Sequence, residues 1–500
     1  MSYYLGLDTS TTATKALLMD EDGSVISIGR SGYEYDTPQP RWTEQAPELW
    51  WVAAREAISE ALTNADVGGS ALGGIGLTGQ MHGLVLLDAD GEVIRPAILW
   101  NDQRTQAETD EIRGRIGGRL IEITGNDVLT GFTAPKILWV RNNEPENYSK
   151  VAHVLLPKDY VRFRLTGELA TDKAGASGTL LFDLAARDWS SDVLATLEIP
   201  PDWLPPTFEG PEVTGYLTDE GAAGMGLRPG TPVVAGAGDQ AANGVGVGAV
   251  TPGVVAVSVG TSGVVFAATD RPIFEPEGRV HAFCHAVPET WHLMGVMLSA
   301  AGSYRWFRDT VAPDHDFAAL DEKAAAVSPG ANGLVFLPYL TGERTPHADP
   351  MARGAFVGLT VRHGRGHLAR AVMEGVAFGL RDSVELMAKE VELGAVRISG
   401  GGAGSEVWVQ IITDVLDRPV RVVTAGESAA HGAAILAAAG DGAFSSVAEG
   451  SAAAVDVGDL IEPTGDAPVY EEAYAVYREL YPKLGASFHK LGKIDDFGSG

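Results

Sequence analysis

A single cysteine, Cys284, occurs among 500 residues. That excludes an internal disulfide framework and any cysteine-based metal cage. Lysine is scarce as well: 10 of the 37 basic residues, against 66 carboxylates and a net charge of −29. So acidic a chain lacks the basic patches that a nucleic-acid groove or an anionic membrane surface requires, and neither is expected as a partner. The bias suits a concentrated-salt solvent, in which carboxylate repulsion is screened, and equally a genome whose codons favour arginine. No uninterrupted 18-residue apolar stretch occurs, so no membrane-spanning helix is expected. The start, Met1 to Gly6, has no basic region ahead of an apolar one and enters a strand pattern directly, unlike a secretory signal. These absences leave a cytoplasmic enzyme as the expectation.

What is present is an ordinary globular composition, 45% hydrophobic and 21% charged, with length for two to four domains and large cores. Residues 3–7, 15–19 and 25–28 read as strands, the last two joined by the turn Asp20-Glu21-Asp22-Gly23. Residues 47–62 read as a helix with Leu49, Val52, Ala53, Ile58 and Leu62 toward one face. Short strands at 75–77 and 84–87 flank residues 78–83. The stretch 190–232, with Pro200-Pro201 and Pro205-Pro206, reads as a surface excursion. Residues 233–238 form a buried strand that ends at Asp239, and a helix follows over 240–247. Residues 396–399 are a strand, 407–416 and 431–439 are helices, and the tail 495–500 is expected to fray.

The chain echoes itself. Strand, Asp8-Thr9-Ser10-Thr11-Thr12 and strand return as strand 254–259, Gly260-Thr261-Ser262-Gly263 and strand 264–267. A duplicated architecture would explain this, with two similar lobes facing one cleft, although strand–turn–strand is also common without duplication. A tight turn of hydroxyls and backbone N–H groups can wrap phosphate oxygens, with Lys15 within reach, and an adjacent Asp8 can hold a hydrated magnesium ion. Asp239 is a candidate general base and a candidate cap of the helix after it, two compatible readings. The run from Gly400 to Gly404 lies between strand and helix and would let a nucleotide approach the backbone, or is simply a turn. His281 and His285 flank Cys284 in a strand-like pattern. Positions i and i+4 of a strand stand about 13 Å apart, so this is not a metal site.

Taken together these residues resemble the FGGY family of carbohydrate kinases, over nearly the whole chain. Residues 131–143 (GFTAPKILWVRNN) match one family signature, and 354–359 (GAFVGL) with His367-Leu368 and Ala371-Val372-Met373-Glu374 match the other. Residues 76–83 (GLTGQMHG), 98–104 (ILWNDQR) and 340–347 (LTGERTPH) resemble the xylulokinase subgroup. The resemblance implies an α/β fold of two ribonuclease-H-like lobes, as in actin and hexokinase, with the active site in the cleft between them. The lobes would be residues 1–249, with the sugar site and first phosphate loop, and 250–500, with the second phosphate loop and nucleotide site. Its last helices would pack on the first lobe. It implies phosphorylation of D-xylulose by ATP, with Asp239 as base and Asp8 organising Mg2+ through water. Thr11, Thr12 and Lys15 would form one phosphate loop and Gly260 with Thr261 the other. Gly302, Gly401, Gly402, Ala403 and Ser405 would line the nucleotide site; Met81, His82 and Gln240 would contact the sugar. Homodimers are common in the family. Gln240 departs from the asparagine usual in the subgroup. That keeps open ribulose, a pentitol, gluconate or glycerol as the substrate, and, in another class, a non-catalytic nucleotide binder of the same fold.

Overall fold

The computed structural model describes residues 2–424 and 426–497. The apolar runs build two seven-stranded sheets. The first holds β1 (Tyr3–Thr9), β2 (Ala13–Asp20), β3 (Val25–Gly32), β4 (Leu72–Gly79), β5 (Val213–Tyr216), β6 (Pro232–Val234) and β7 (Ala237–Gly238). Their order is β5-β6-β4-β1-β2-β3, with β7 also on β4. β1, β2 and β3 form an antiparallel meander, and β4 and β6 run parallel to β1.

The second sheet holds β8 (Val255–Val259), β9 (Gly263–Thr269), β10 (His281–Cys284), β11 (Trp291–Met297), β12 (Val396–Ser399), β13 (Val420–Val423) and β14 (Val457–Ile461), in the order β10-β11-β9-β8-β12-β13-β14. Here β8, β9 and β11 form the meander, and β12 and β13 run parallel to β8. Both sheets thus repeat one plan: a three-strand meander whose first strand carries two parallel additions. The echo between the two hairpins marks the same position in each, β1–β2 and β8–β9. The architecture is α/β with two ribonuclease-H-like lobes.

Three expectations change on folding. Helix α1 (Pro47–Ala65) turns Trp50, Trp51, Ala54, Ile58 and Ala61 inward, whereas Leu49 and Val52 stay exposed. The indoles bury more apolar area than the aliphatic residues beside them, so they set the face. The proline-rich excursion is partly sheet, because β5 pairs with β6 as the edge strand. The buried strand before Asp239 is two strands, broken at Gly236. Its φ of +70° and its contact with Leu77 O, 1.8 Å from where a Cβ would sit, admit only glycine. Of the tail, 498–500 lie outside the described residues.

The second lobe is organised around α4 (Arg365–Met387), buried along most of its 23 residues. Helix α5 (Glu406–Leu416) and the terminal helix α7 (Ala467–Phe497) pack beside it. Helix α6 (Ser428–Asp441) instead lies on β1 and β4 of the first sheet and crosses α3 (Asp239–Gly246). One buried cluster therefore mixes Tyr4, Leu17 and Met19 of the first lobe with Ala256 and Phe266 of the second. The lobes share a floor, and the cleft opens above it.

Candidate active site

Asp8 is the next-to-last residue of β1, and Thr78 is its register partner on β4. Ala237 of β7 is the partner of Thr78 on the other side, two residues before Asp239. The parallel strands thus end together and bring Asp8, Thr78 and Asp239 to one edge of the sheet. Asp239 does not cap α3: Gly238 holds that position, and Asp239 is the first helical residue. Burial pushes its carboxyl up to about 6, partly offset by the Gln240 amide and the backbone N–H groups at the helix start. Burial also pushes Asp8 up to about 7; Lys15 opposes this, and the charges of Asp239 and Glu427 add to it.

Asp8 and its register partner Thr78 share one face of the sheet, and Asp8 Oδ1, Thr78 Oγ1 and, just past the end of β4, Gln80 Oε1 are buried without a hydrogen-bond partner. Buried polar atoms are rarely left so. These oxygens can accept hydrogen bonds from ordered water, as the surroundings of a hydrated divalent cation must. Lys15 reaches Glu427 Oε2 at 2.5 Å and stands 4.0 Å from Asp8 Oδ2. Thr11 Oγ1 accepts the Trp100 indole N–H, and Thr12 is exposed at the hairpin tip.

On the sugar side, Met81 packs against Gly238, the residue before Asp239. His82 has a φ of +67°, a costly conformation for a side chain of its size. Its carbonyl accepts hydrogen bonds from Lys136 Nζ (2.8 Å) and Thr133 Oγ1 (3.1 Å), both on α2 (Thr133–Asn143 in chain order between α1 and α3). Lys136 also donates to Gly131 O at 2.7 Å and is fully buried, so its ammonium is pushed down to about 7. The His82 ring meets Phe132 edge-on at 4.6 Å and Gly178 O at 2.6 Å, and burial pushes it down to about 3. It is neutral.

On the second lobe, Gly302 N donates to Thr261 O, and a Cβ on Gly302 would come within 2.9 Å of that oxygen. The hairpin Gly260-Thr261 and the start of the helix Ala301–Val311 are therefore one unit. Gly402 packs on Val259, the last residue of β8, so the glycine turn abuts the same hairpin. Gly401 and Gly404 open to space, Ala403 is half-buried, and Ser405 caps α5 with its hydroxyl on Trp408 N. His281, the strand-bound histidine, bonds Asn126 Oδ1 at 2.8 Å, while His285 bonds Ala249 O. The two face different neighbours.

Residues 3–246 match the N-terminal domain, and residues 255–440 the C-terminal domain, of the FGGY family of carbohydrate kinases. The chain belongs to this family. It is 44% identical to the xylulose kinase of Escherichia coli (strain K12) over 439 residues, 87% of this chain and 89% of that one. It is 38% identical to the xylulose kinase of Lactococcus lactis subsp. lactis (strain IL1403), over the full length of both. The crystal structure of xylulose kinase from Rhodospirillum rubrum matches with a TM-score of 0.91 at 34% identity, covering 97% of this chain and 100% of that one. This FGGY chain is thus a carbohydrate kinase, an enzyme that uses ATP on a small-molecule sugar.

The fold also brings to the FGGY cleft residues that the sequence did not single out. Thr78 and Gln80 lie in a stretch quoted for its resemblance, but nothing local marks them as unpartnered. Lys136 carried a signal: one charged residue inside a run of buried apolar positions. Glu427 carried none, because its pairing with Lys15 joins residues 412 apart.

Proposed function

We propose that this kinase transfers the γ-phosphoryl group of ATP to the terminal hydroxyl of D-xylulose, giving D-xylulose 5-phosphate and ADP. The observation that carries the reading is full-length similarity to xylulose kinases in a chain whose fold sets Asp8 and Asp239 side by side. Asp239 accepts the hydroxyl proton as that oxygen bonds to the γ-phosphorus and the bond to the bridging oxygen breaks. A carboxyl held near 6 is largely ionised at neutral pH and still basic enough for the task. Gln240 orients the carboxylate and contacts the sugar together with Met81 and His82. The hairpins Thr11-Thr12-Lys15 and Gly260-Thr261 hold the phosphates from opposite lobes. Gly302, Gly401, Gly402, Ala403 and Ser405 form the nucleotide side. The unpartnered oxygens around Asp8 suit hydrated Mg2+, which Asp8 would hold. When bound, that ion neutralises charge on the phosphate oxygens. Closure of the cleft over the shared floor excludes water from the transfer.

The test is ADP production from MgATP with D-xylulose, D-ribulose, L-ribulose, xylitol, gluconate and glycerol in parallel, for the natural chain and for Asp239→Asn. D-xylulose should give the highest kcat/KM. Asp239→Asn should lose about 10²–10⁴-fold in kcat while ATP binding, by titration, changes little. Preference for another sugar would move specificity to Gln240 and the Met81-His82 loop; full activity in the variant would remove Asp239 from the role of base.

A further inference from the structure

Arg344 has no part in the mechanism above, yet the fold fixes it at the sugar side of the cleft. The backbone on both sides of it is tied to β11. Glu343 Oε1 accepts the N–H groups of Leu298 (2.9 Å) and of Arg344 itself (2.8 Å). Thr345 N donates to Val296 O at 2.9 Å, and Thr345 Oγ1 accepts Val296 N at 3.1 Å. β11 pairs with β10, setting His281 opposite Met294, and Met294 shares a core cluster with Met81, Phe132 and Phe283. The second-lobe wall that carries Arg344 therefore packs against the Met81-His82 loop of the first lobe. The guanidinium lies close enough to both His82 and His281 to disfavour protonation of their rings.

Among the described residues the Arg344 guanidinium makes no ion pair and no hydrogen bond. Glu343 is engaged by backbone N–H groups, and burial pushes its carboxyl up to about 8. A guanidinium has five N–H donors and no acceptor. Beside it, His82 offers the opposite. A carbonyl cannot donate, so Nδ1 at 2.6 Å from Gly178 O must carry the ring proton. In a neutral imidazole Nε2 is then an acceptor. The wall thus presents unspent donors on the same side of the cleft as a fixed acceptor. Met81 touches the residue before Asp239, so the terminal hydroxyl of the sugar belongs at that end and its other end lies toward His82 and Arg344.

We propose that Arg344 and His82 recognise the α-hydroxyketone end of the sugar: the guanidinium donates to the C2 carbonyl oxygen, and His82 Nε2 accepts the C1 hydroxyl proton. Arg344 is then a specificity-determining residue that selects 2-ketoses over polyols. The inference rests on the sugar-kinase reading above.

The experiment measures kcat/KM for D-xylulose, 1-deoxy-D-xylulose and xylitol, and KM for ATP, in the natural chain, Arg344→Met and Arg344→Lys. Arg344→Met should lose about 10–100-fold on D-xylulose, the range for a hydrogen bond to a charged group, and less than about threefold on xylitol. The ketose-over-polyol preference then collapses with KM for ATP unchanged. Arg344→Lys, which keeps a donor, should recover part of the loss. Natural enzyme should lose activity on 1-deoxy-D-xylulose, and His82→Phe should show no further loss on that analogue. Equal losses on D-xylulose and xylitol, or a raised KM for ATP, would overturn the assignment. If Arg344→Met fails to fold, as seen in its thermal unfolding, the Arg344→Lys ratio between ketose and polyol decides. A natural enzyme that phosphorylates no ketose better than xylitol would overturn the sugar reading and this one together. Retained ketose preference in both Arg344 variants would overturn this one alone.

Discussion

Asp239 stands one peptide unit beyond the strand that ends at Gly238, half-buried at the start of α3. Its carboxyl sits near 6 because burial penalises the charge. A pKa raised on folding means that the fold favours the protonated form. That contribution to stability is complete below the unfolded value near 4 and is lost as pH rises through about 6. Asp239→Asn should therefore raise the melting temperature at pH 8 and leave it nearly unchanged at pH 4. Activity runs the other way, since only the ionised base accepts a proton: kcat/KM of the natural enzyme should fall on the acid side of about pH 6. A profile flat down to pH 5 would contradict the placement of the base. Both halves are read from melting curves and rate profiles on the same preparations. Asp8 and Asp239 were visible in the sequence as carboxylates at strand ends beside glycine or hydroxyl residues. The unpartnered oxygens at Thr78 and Gln80 were not, because whether a buried atom finds a partner depends on strands far away in the chain.

At the scale of elements, the late helices divide: α7 packs beside α4 and α5 of its own lobe, whereas α6 seats on the first sheet. The alanine-rich sequence of α6 reads as a helix, and its pattern alone does not say which lobe it covers. Gly6 and Gly76, register partners on β1 and β4, let it approach the first sheet. A Cβ on Gly6 would lie 1.8 Å from Ala430 O, and one on Gly76 would lie 1.9 Å from Ala433 O. Gly246 and Gly432 make the same allowance where α3 and α6 cross, at 1.9 Å from Ser428 O and Ala242 O. Backbone cannot step aside as a side-chain tip can. Gly76→Ala should cost about 1–3 kcal/mol by overpacking, read from denaturant unfolding. Gly401→Ala, with no atom within 4 Å of the added methyl, should cost less than about 0.5 kcal/mol. Equal effects would mean that α6 does not seat so closely. Since α3 begins with Asp239, Gly76→Ala should also lower kcat.

The whole molecule carries 29 net negative charges, and many of its basic side chains are engaged with carboxylates, some deep, such as Arg104 with Asp102, and others exposed, such as Arg119 with Asp192 and Lys483 with Glu479. Exposed pairs contribute little each, whereas the net charge repels throughout. Raising KCl from about 0.05 M to about 1 M shortens the screening length from over 10 Å to about 3 Å. The melting temperature should rise across that range. A fall would show that attractive pairs outweigh the net repulsion. The chain by itself determined the two hairpins, their repetition, the helices α1, α3, α5 and α6, and the strand-end carboxylates. Each follows from local periodicity, turn chemistry or signature residues. It could not determine what those elements face. The docking of α6 on the other lobe, the pairing of Lys15 with Glu427, the hold of Lys136 on His82, and the free guanidinium of Arg344 beside that ring came only with the tertiary structure. A periodic pattern states that a face is buried, and only packing states against what.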